Sequence, residues 1–214
     1  MSLLSVLAGV YSPFRSAPVL ELRDSYNESL ATPHNYTAID TETSGLDARS
    51  CEILELAAIR YRDHTPVDEF HTFVCPVGRI PKAASAVNHI TLSKVILAPP
   101  SQIALADFFA FLGDDTLLGY NIGFDMKFIQ TRAQRDLPNP AFDVLPFARH
   151  LLPGHRNYKL DTLRRDLSLG GRAHTALGDC KATANLYQHC FESDQYKKYM
   201  LLIQKAQEKS SHRR

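Results

Sequence analysis

The chain has 214 residues, 44% of them hydrophobic, with 24 basic side chains against 23 acidic ones and a net charge of +1. That size and apolar content suit one globular domain with a well-buried core, and the near-neutral balance excludes a strongly basic body that grips duplex nucleic acid indiscriminately. Cys51, Cys75, Cys180 and Cys190 form no Cys-x-x-Cys pair, so zinc-type spacing is absent and the thiols read as reduced, as in a cytoplasmic protein.

Residues 1–34 read as an N-terminal extension broken by Pro13, Pro18 and Pro33. Within it, Leu3 to Tyr11 is apolar but too short to span a bilayer. No Lys or Arg precedes this stretch and no small-x-small cleavage site follows it, so an amphipathic helix or arm is expected rather than a secretion signal. A domain over 35–192 follows. Tyr36 to Thr41 predicts a first strand, Glu52 to Arg62 a second with Ile53, Leu54, Leu56, Ala58 and Ile59 inside, and Glu69 to Cys75 a third closed by Pro76. The short links between them predict antiparallel neighbours. Ser101 to Leu112 predicts a helix capped by Ser101, with Ile103, Ala106, Phe109 and Phe111 as its contacts. Thr116 to Tyr120 predicts a strand leading into a helix over Gly123 to Arg135, with Phe124, Phe128 and Ile129 on one face. Leu145 to Leu152 and Leu160 to Leu167 predict short helices, and Thr175 to Phe191 the last core helix. Over 193–214, a helix at 195–209 and a basic tail, Ser210 to Arg214, close the chain. Three strands followed by alternating helix and strand indicate an α/β fold around a mixed sheet.

Five residues in three segments carry the chemistry. Asp40 and Glu42 lie two apart at the end of the first strand, so both carboxylates face one side of a sheet. Asp125 lies in the first turn of a helix, with Asn121 as a candidate cap. His174 and Asp179 enter the last core helix. Taken singly, each has a plainer reading: surface acids, carboxylates satisfying a helix N-terminus, a surface histidine. Gathered together they are another matter. Four carboxylates in one pocket repel strongly at low dielectric, and a bare buried carboxylate is costly. A convergent site therefore calls for divalent cations, and all-oxygen ligands favour Mg²⁺, with Mn²⁺ a substitute.

In this order, the acid pair of Ala38 to Asp47, the acid of Gly119 to Asp125 and the His-x4-Asp of His174 to Asp179 resemble the DnaQ-like (DEDDh) 3′–5′ exonuclease superfamily, which includes the proofreading domains of the DNA polymerase III epsilon type. The resemblance covers about Asn35 to Phe191. It implies an RNase H-like fold, with a mixed sheet of about five strands flanked by helices, and two-metal hydrolysis of single-stranded 3′ ends. By the same resemblance Asp40 bridges two Mg²⁺ ions, Glu42 and Asp179 complete one metal site, Asp125 helps hold the second, and His174 is the general base. It also implies substrate contacts at Thr41, Ser44, Gly45, Leu46, His89, Asn121 and Phe124, with Leu46 as a wedge at the terminal base. His89 falls where the family often has glycine. Lys159, Arg164, Arg165 and Arg172 flank the third motif and are candidates to hold phosphates. The expected partners are single-stranded or frayed DNA 3′ ends and, for a subunit rather than a stand-alone enzyme, a DNA polymerase; no membrane is expected. RNA 3′-end trimming and a non-catalytic binding module are the competing functions.

Overall fold

A computed structural model describes residues 32–198. The Leu3 to Tyr11 stretch, most of the predicted extension, the Ser210 to Arg214 tail and most of the predicted 195–209 helix lie outside the described residues; 194–198 are helical up to that boundary. The strands are β1 (Tyr36–Thr43), β2 (Ile53–Arg62), β3 (Thr65–Phe73), β4 (Leu117–Gly119) and β5 (Ala141–Asp143). The helices are α1 (Lys82–Asn88), α2 (Leu92–Val95), α3 (Ser101–Leu112), α4 (Gly123–Ala133), α5 (Val144–Leu151), α6 (Leu160–Asp166) and α7 (Ala176–Glu192). The sheet order is β3-β2-β1-β4-β5. β1 runs antiparallel to β2, and β2 to β3, while β4 is parallel to both β1 and β5. This is the mixed five-stranded sheet flanked by helices expected of an RNase H-like fold.

Strand pleating sorts the core into two layers. Tyr36 and Ala38 of β1, Ala57, Ile59 and Tyr61 of β2, and Leu118 of β4 face α5 and α7. Ile39 of β1, Leu56 and Ala58 of β2, and Leu117 of β4 face α3 and α4. Helix α7 lies close to the sheet because one face carries the small buried residues Ala176, Cys180, Thr183 and Ala184, with Cys180 Sγ 3.5 Å from the Ala57 carbonyl oxygen of β2. Leu186 on the same helix is fully buried, a contribution of about 1.5–3 kcal/mol.

Three sequence expectations need correction. The third strand begins four residues earlier than Glu69, directly after a two-residue turn in which Asp63 (φ 46°) and His64 (φ 61°) are both left-handed. That conformation matches the twist of a tight hairpin, but Asp-His lacks the glycine that usually announces it. Pro66 hides the strand further, and is tolerated because β3 is an edge strand next to a bulge at Arg60/Tyr61. In α3, the fully buried contacts are Ala104, Leu105, Phe108 and Leu112; Phe109 and Phe111 pack partly buried against the same cluster, whereas Ala106 is exposed and Ile103 is 54% exposed. Apolar residues surround most of this helix, so its pattern does not select a face. Ser101 is the first helical residue rather than the cap: Pro100 takes the cap position without a side-chain bond, and the Ser101 Oγ is buried with no hydrogen-bond partner among the described residues. Helices α1 and α2 and the three-residue β5 are shorter than a periodic signal can reveal.

Candidate active site

The pleat that builds the core also builds the site. Asp40 and Glu42 share the parity of Tyr36 and Ala38, so they emerge on the α7 side of β1, further along the strand. Helix α7 presents Asp179 to them from its first turn. Thr175 starts that helix by accepting a hydrogen bond from the Gly178 N–H at 3.2 Å. Carboxylate oxygens of Asp40, Glu42 and Asp179 lie within 4.8 Å of one another, and each residue keeps part of its surface open to solvent.

Asp125 approaches from the other side. Thr41 has the opposite parity to Asp40 and points towards α4. Its backbone N–H and its hydroxyl both donate to Asp125 Oδ1, at 2.9 and 2.8 Å. The structure therefore brings Asp125 beside the trio rather than into it, with one oxygen committed to Thr41.

The electrostatics are those of crowded acids. Burial lifts the Asp40 carboxyl well above its ordinary range, and Asp125, Asp179, Glu42 and Glu55 lift it further. Glu42 is pushed up to about 8 by burial, with Asp179 and Glu55 adding and a hydrogen bond with Asn88 opposing. Burial raises Asp125 to about 7 against the pull of the Thr41 donors. Asp179 is raised by burial even though Arg164 favours its charged form. Such a cluster is relieved by a bound divalent cation, and its all-oxygen donor set fits Mg²⁺ or Mn²⁺.

His174 sits in the loop before α7 with a left-handed backbone, φ 57°. Its Nε2 lies 3.0 Å from Asp161 Oδ2 of α6. Arg164, one turn after Asp161, donates from Nη1 to Asp161 Oδ1 at 2.8 Å and from Nη2 to Asp179 Oδ1. Arg164 is buried between these two carboxylates, so it is not the free phosphate contact that its position in the sequence suggested. Lys159, Arg165 and Arg172 are exposed.

The remaining sequence candidates lie in the segments next to the residues above: Ser44 to Leu46 after Glu42, His89 after Asn88, and Asn121 and Phe124 before Asp125. Ser44 closes the turn after β1: its N–H donates to the Glu52 carbonyl and its Oγ accepts from the Glu52 N–H, both at 2.8 Å. At Gly45 a Cβ would stand 2.5 Å from Cys51 Sγ, so any larger residue there would displace the Cys51 side chain. Leu46 is 87% exposed. His89 ends α1 in the left-handed conformation, φ 58°, which explains why glycine suits that position. Asn121 does not cap α4. Ile122 takes the cap position, while Asn121 adopts φ 59° and its N–H donates to Asp143 Oδ1 at 2.9 Å. Phe124 is half-buried against Phe128, ring centres 4.8 Å apart.

The sequence reading missed Glu55, Asp161 and Asp143. Glu55 lies opposite Glu42 in the β1–β2 register, is 3% exposed and bonds His71 Nε2 at 2.6 Å. A lone acid inside the apolar run Ile53 to Ile59 was its visible signal. Asp161 showed only as an acid three residues before an arginine, a spacing common on helix surfaces.

Comparison with known proteins gives a consistent picture. The exonuclease family model of the RNase T type matches residues 37–187. The PolC-type DNA polymerase III of Latilactobacillus sakei subsp. sakei is 34% identical over 173 residues, covering 78% of this chain and 12% of that protein. The PolC-type DNA polymerase III of Oceanobacillus iheyensis is 35% identical over 169 residues, covering 76% and 12%. The chain thus spans about an eighth of the length of these relatives. Among solved structures, exonuclease X in complex with 5′ overhanging duplex DNA superposes with a TM-score of 0.61 at 26% identity, covering 75% of this chain and 96% of that one. E. coli exonuclease I in complex with a dT13 oligonucleotide shares the fold, with a TM-score of 0.66 at 19% identity over 78% of this chain and 42% of that one. Among the described residues, no helix is long and apolar enough to cross a membrane.

Proposed function

This chain belongs to the exonuclease family, of the DnaQ-like 3′–5′ type, and on that premise we propose that it removes nucleotides from single-stranded or frayed DNA 3′ ends by metal-dependent hydrolysis with His174 as general base. The observation that carries this reading is the convergence of Asp40, Glu42 and Asp179 within 4.8 Å, with Asp125 alongside. DNA is favoured over RNA because the aligned relatives are DNA polymerases. For the same reason a polymerase is the partner class proposed here.

In this mechanism Asp40, Glu42, Asp179 and Asp125 would hold the divalent cations, Asp125 with one carboxylate oxygen already accepting from Thr41. Bound divalent cations supply electrostatic stabilisation of the attacking and leaving oxygens of an in-line displacement. His174 takes the proton of the attacking water, a role for which an imidazole is suited near neutral pH. Leu46 wedges against the terminal base, Phe124 stacks on a base, and the turn at Ser44 and Gly45 contacts the terminal sugar. His89 and Asn121 border the entering strand.

A time course on 3′- and 5′-end-labelled DNA and RNA oligonucleotides, with Mg²⁺, with Mn²⁺ and with EDTA, tests the proposal. Stepwise shortening of DNA from the 3′ end, silenced by EDTA and restored by metal, is expected. Shortening from the 5′ end, or full activity in EDTA, would refute it, and faster trimming of RNA would transfer the substrate to the competing class.

A further inference from the structure

We propose that Asp161 is a positioning residue, which sets the tautomer and orientation of His174 and couples that base to Asp179 through Arg164. The inference rests on the reading of His174 as general base. Its geometry is a continuous chain: His174 Nε2 to Asp161 Oδ2 at 3.0 Å, Asp161 Oδ1 to Arg164 Nη1 at 2.8 Å, and Arg164 Nη2 to Asp179 Oδ1.

Each link has a chemical consequence. The negative charge of Asp161 Oδ2, 3.0 Å from Nε2, favours the tautomer that carries its proton on Nε2 and leaves the lone pair on Nδ1. Nδ1 is then the atom that receives the proton of the water. A base oriented by a third group is the general logic of activated hydrolytic sites. Arg164 cannot drift from this arrangement. It is 8% exposed, its two Nη groups are claimed by two carboxylates, and its Nε is buried with no hydrogen-bond partner among the described residues. The His174 backbone adds to the constraint, since φ 57° is a conformation that few non-glycine residues adopt. Asp161 and Arg164 face the same way because they are three residues apart on α6. One helix turn therefore fixes both the base and one oxygen of a carboxylate ligand.

A purely structural tie between α6 and α7 would show the same contacts, so the test must separate the two. Asp161→Asn keeps an oxygen for Arg164 but turns an amide N–H towards Nε2, which selects the opposite tautomer. In the full-length protein, with Mg²⁺ and 3′-labelled single-stranded DNA, this variant should lose about 10- to 100-fold in kcat, as outer-shell substitutions typically do, with KM within about twofold of wild type. His174→Ala should lose on the order of 10²–10⁴. In the His174→Ala background Asp161→Asn should add less than about twofold, because its effect acts through a ring no longer present. Asp161→Glu, which keeps a carboxylate, should recover part of the loss, and takes the place of the Asn variant in the cycle if that variant does not fold by circular dichroism. A kcat within about threefold of wild type for the Asp161 variant, beside a large His174→Ala loss, overturns the positioning role alone. An undiminished Asp161 effect in the His174→Ala background does the same. A His174→Ala loss below about tenfold overturns the general-base reading itself.

Discussion

Replacing Glu42 by Gln should stabilise the metal-free protein while destroying its response to cations. The fold lifts this carboxyl from its ordinary 4.5 to about 8, by burial first and then by Asp179 and Glu55. As pH rises past 4.5 the unfolded chain releases the proton, whereas the fold keeps it until about 8. Across that window the unfolded state binds fewer protons, so stability falls as pH rises. At pH 7 the unscreened penalty is ~3.4 kcal/mol, from ~2.5 pH units at roughly 1.36 kcal/mol each. Glu42 is partly open to solvent, and screening reduces the figure to about 1–2 kcal/mol. Gln is free of this penalty and retains an amide to meet Asn88. In EDTA at pH 7 and above, Glu42→Gln should therefore melt about 2–8 °C higher than wild type, with the advantage shrinking towards acid and vanishing below pH 4.5, where both states of the wild type are protonated. Added Mg²⁺ should reverse the order, because only the intact cluster gains the binding free energy of the ion. Thermal unfolding followed by circular dichroism across this pH range, with and without Mg²⁺, provides the measurement. Equal melting temperatures in EDTA at about pH 8, or an advantage that grows towards acid, would show that the crowding inferred around Glu42 does not exist.

Asp40→Ala should abolish 3′ trimming in the end-label assay, since Asp40 is the acid on which all the other charges bear; substantial residual cleavage would be fatal to the ligand assignment. Gly178→Ala should destabilise the fold by about 1–3 kcal/mol and depress activity together. The new Cβ would stand 2.6 Å from Thr175 Oγ1 and 2.7 Å from the Arg172 N, in the loop that carries His174 into α7; an unchanged melting temperature would contradict this. Leu46→Ala should leave stability within about 0.5 kcal/mol, as the side chain is 87% exposed. It should nevertheless raise KM for single-stranded DNA by about tenfold or more, from the ~1.5–3 kcal/mol that burying a leucine against a base would supply. A KM equal to wild type would remove Leu46 from the substrate path.

How much of this was legible beforehand depends on the range of the interaction involved. The side-chain period of a strand is two residues, so the sequence alone placed Asp40 and Glu42 on one face. The helix over Gly123 to Ala133 was readable from Phe124, Phe128 and Ile129 on one face, and the one over Ala176 to Glu192 from its length, which lets its signal repeat over several turns. Short elements carry no such repetition, which is why β5, α1 and α2 passed unseen, and why an Asp63-His64 turn without glycine hid the start of β3.

The sequence by itself determined the kind of chemistry: which acids and which histidine are available, in what order, and that such acids need cations if they meet. Tertiary structure alone decided how they meet. Sheet parity sends Asp40 towards α7 and Thr41 towards α4, so Asp179 joins the trio while Asp125 is held one hydrogen bond away. It also turned Arg164 inward between Asp161 and Asp179, and set Glu55 across from Glu42. These are contacts between residues many positions apart, set by strand register and helix docking, and no local pattern of side chains encodes them.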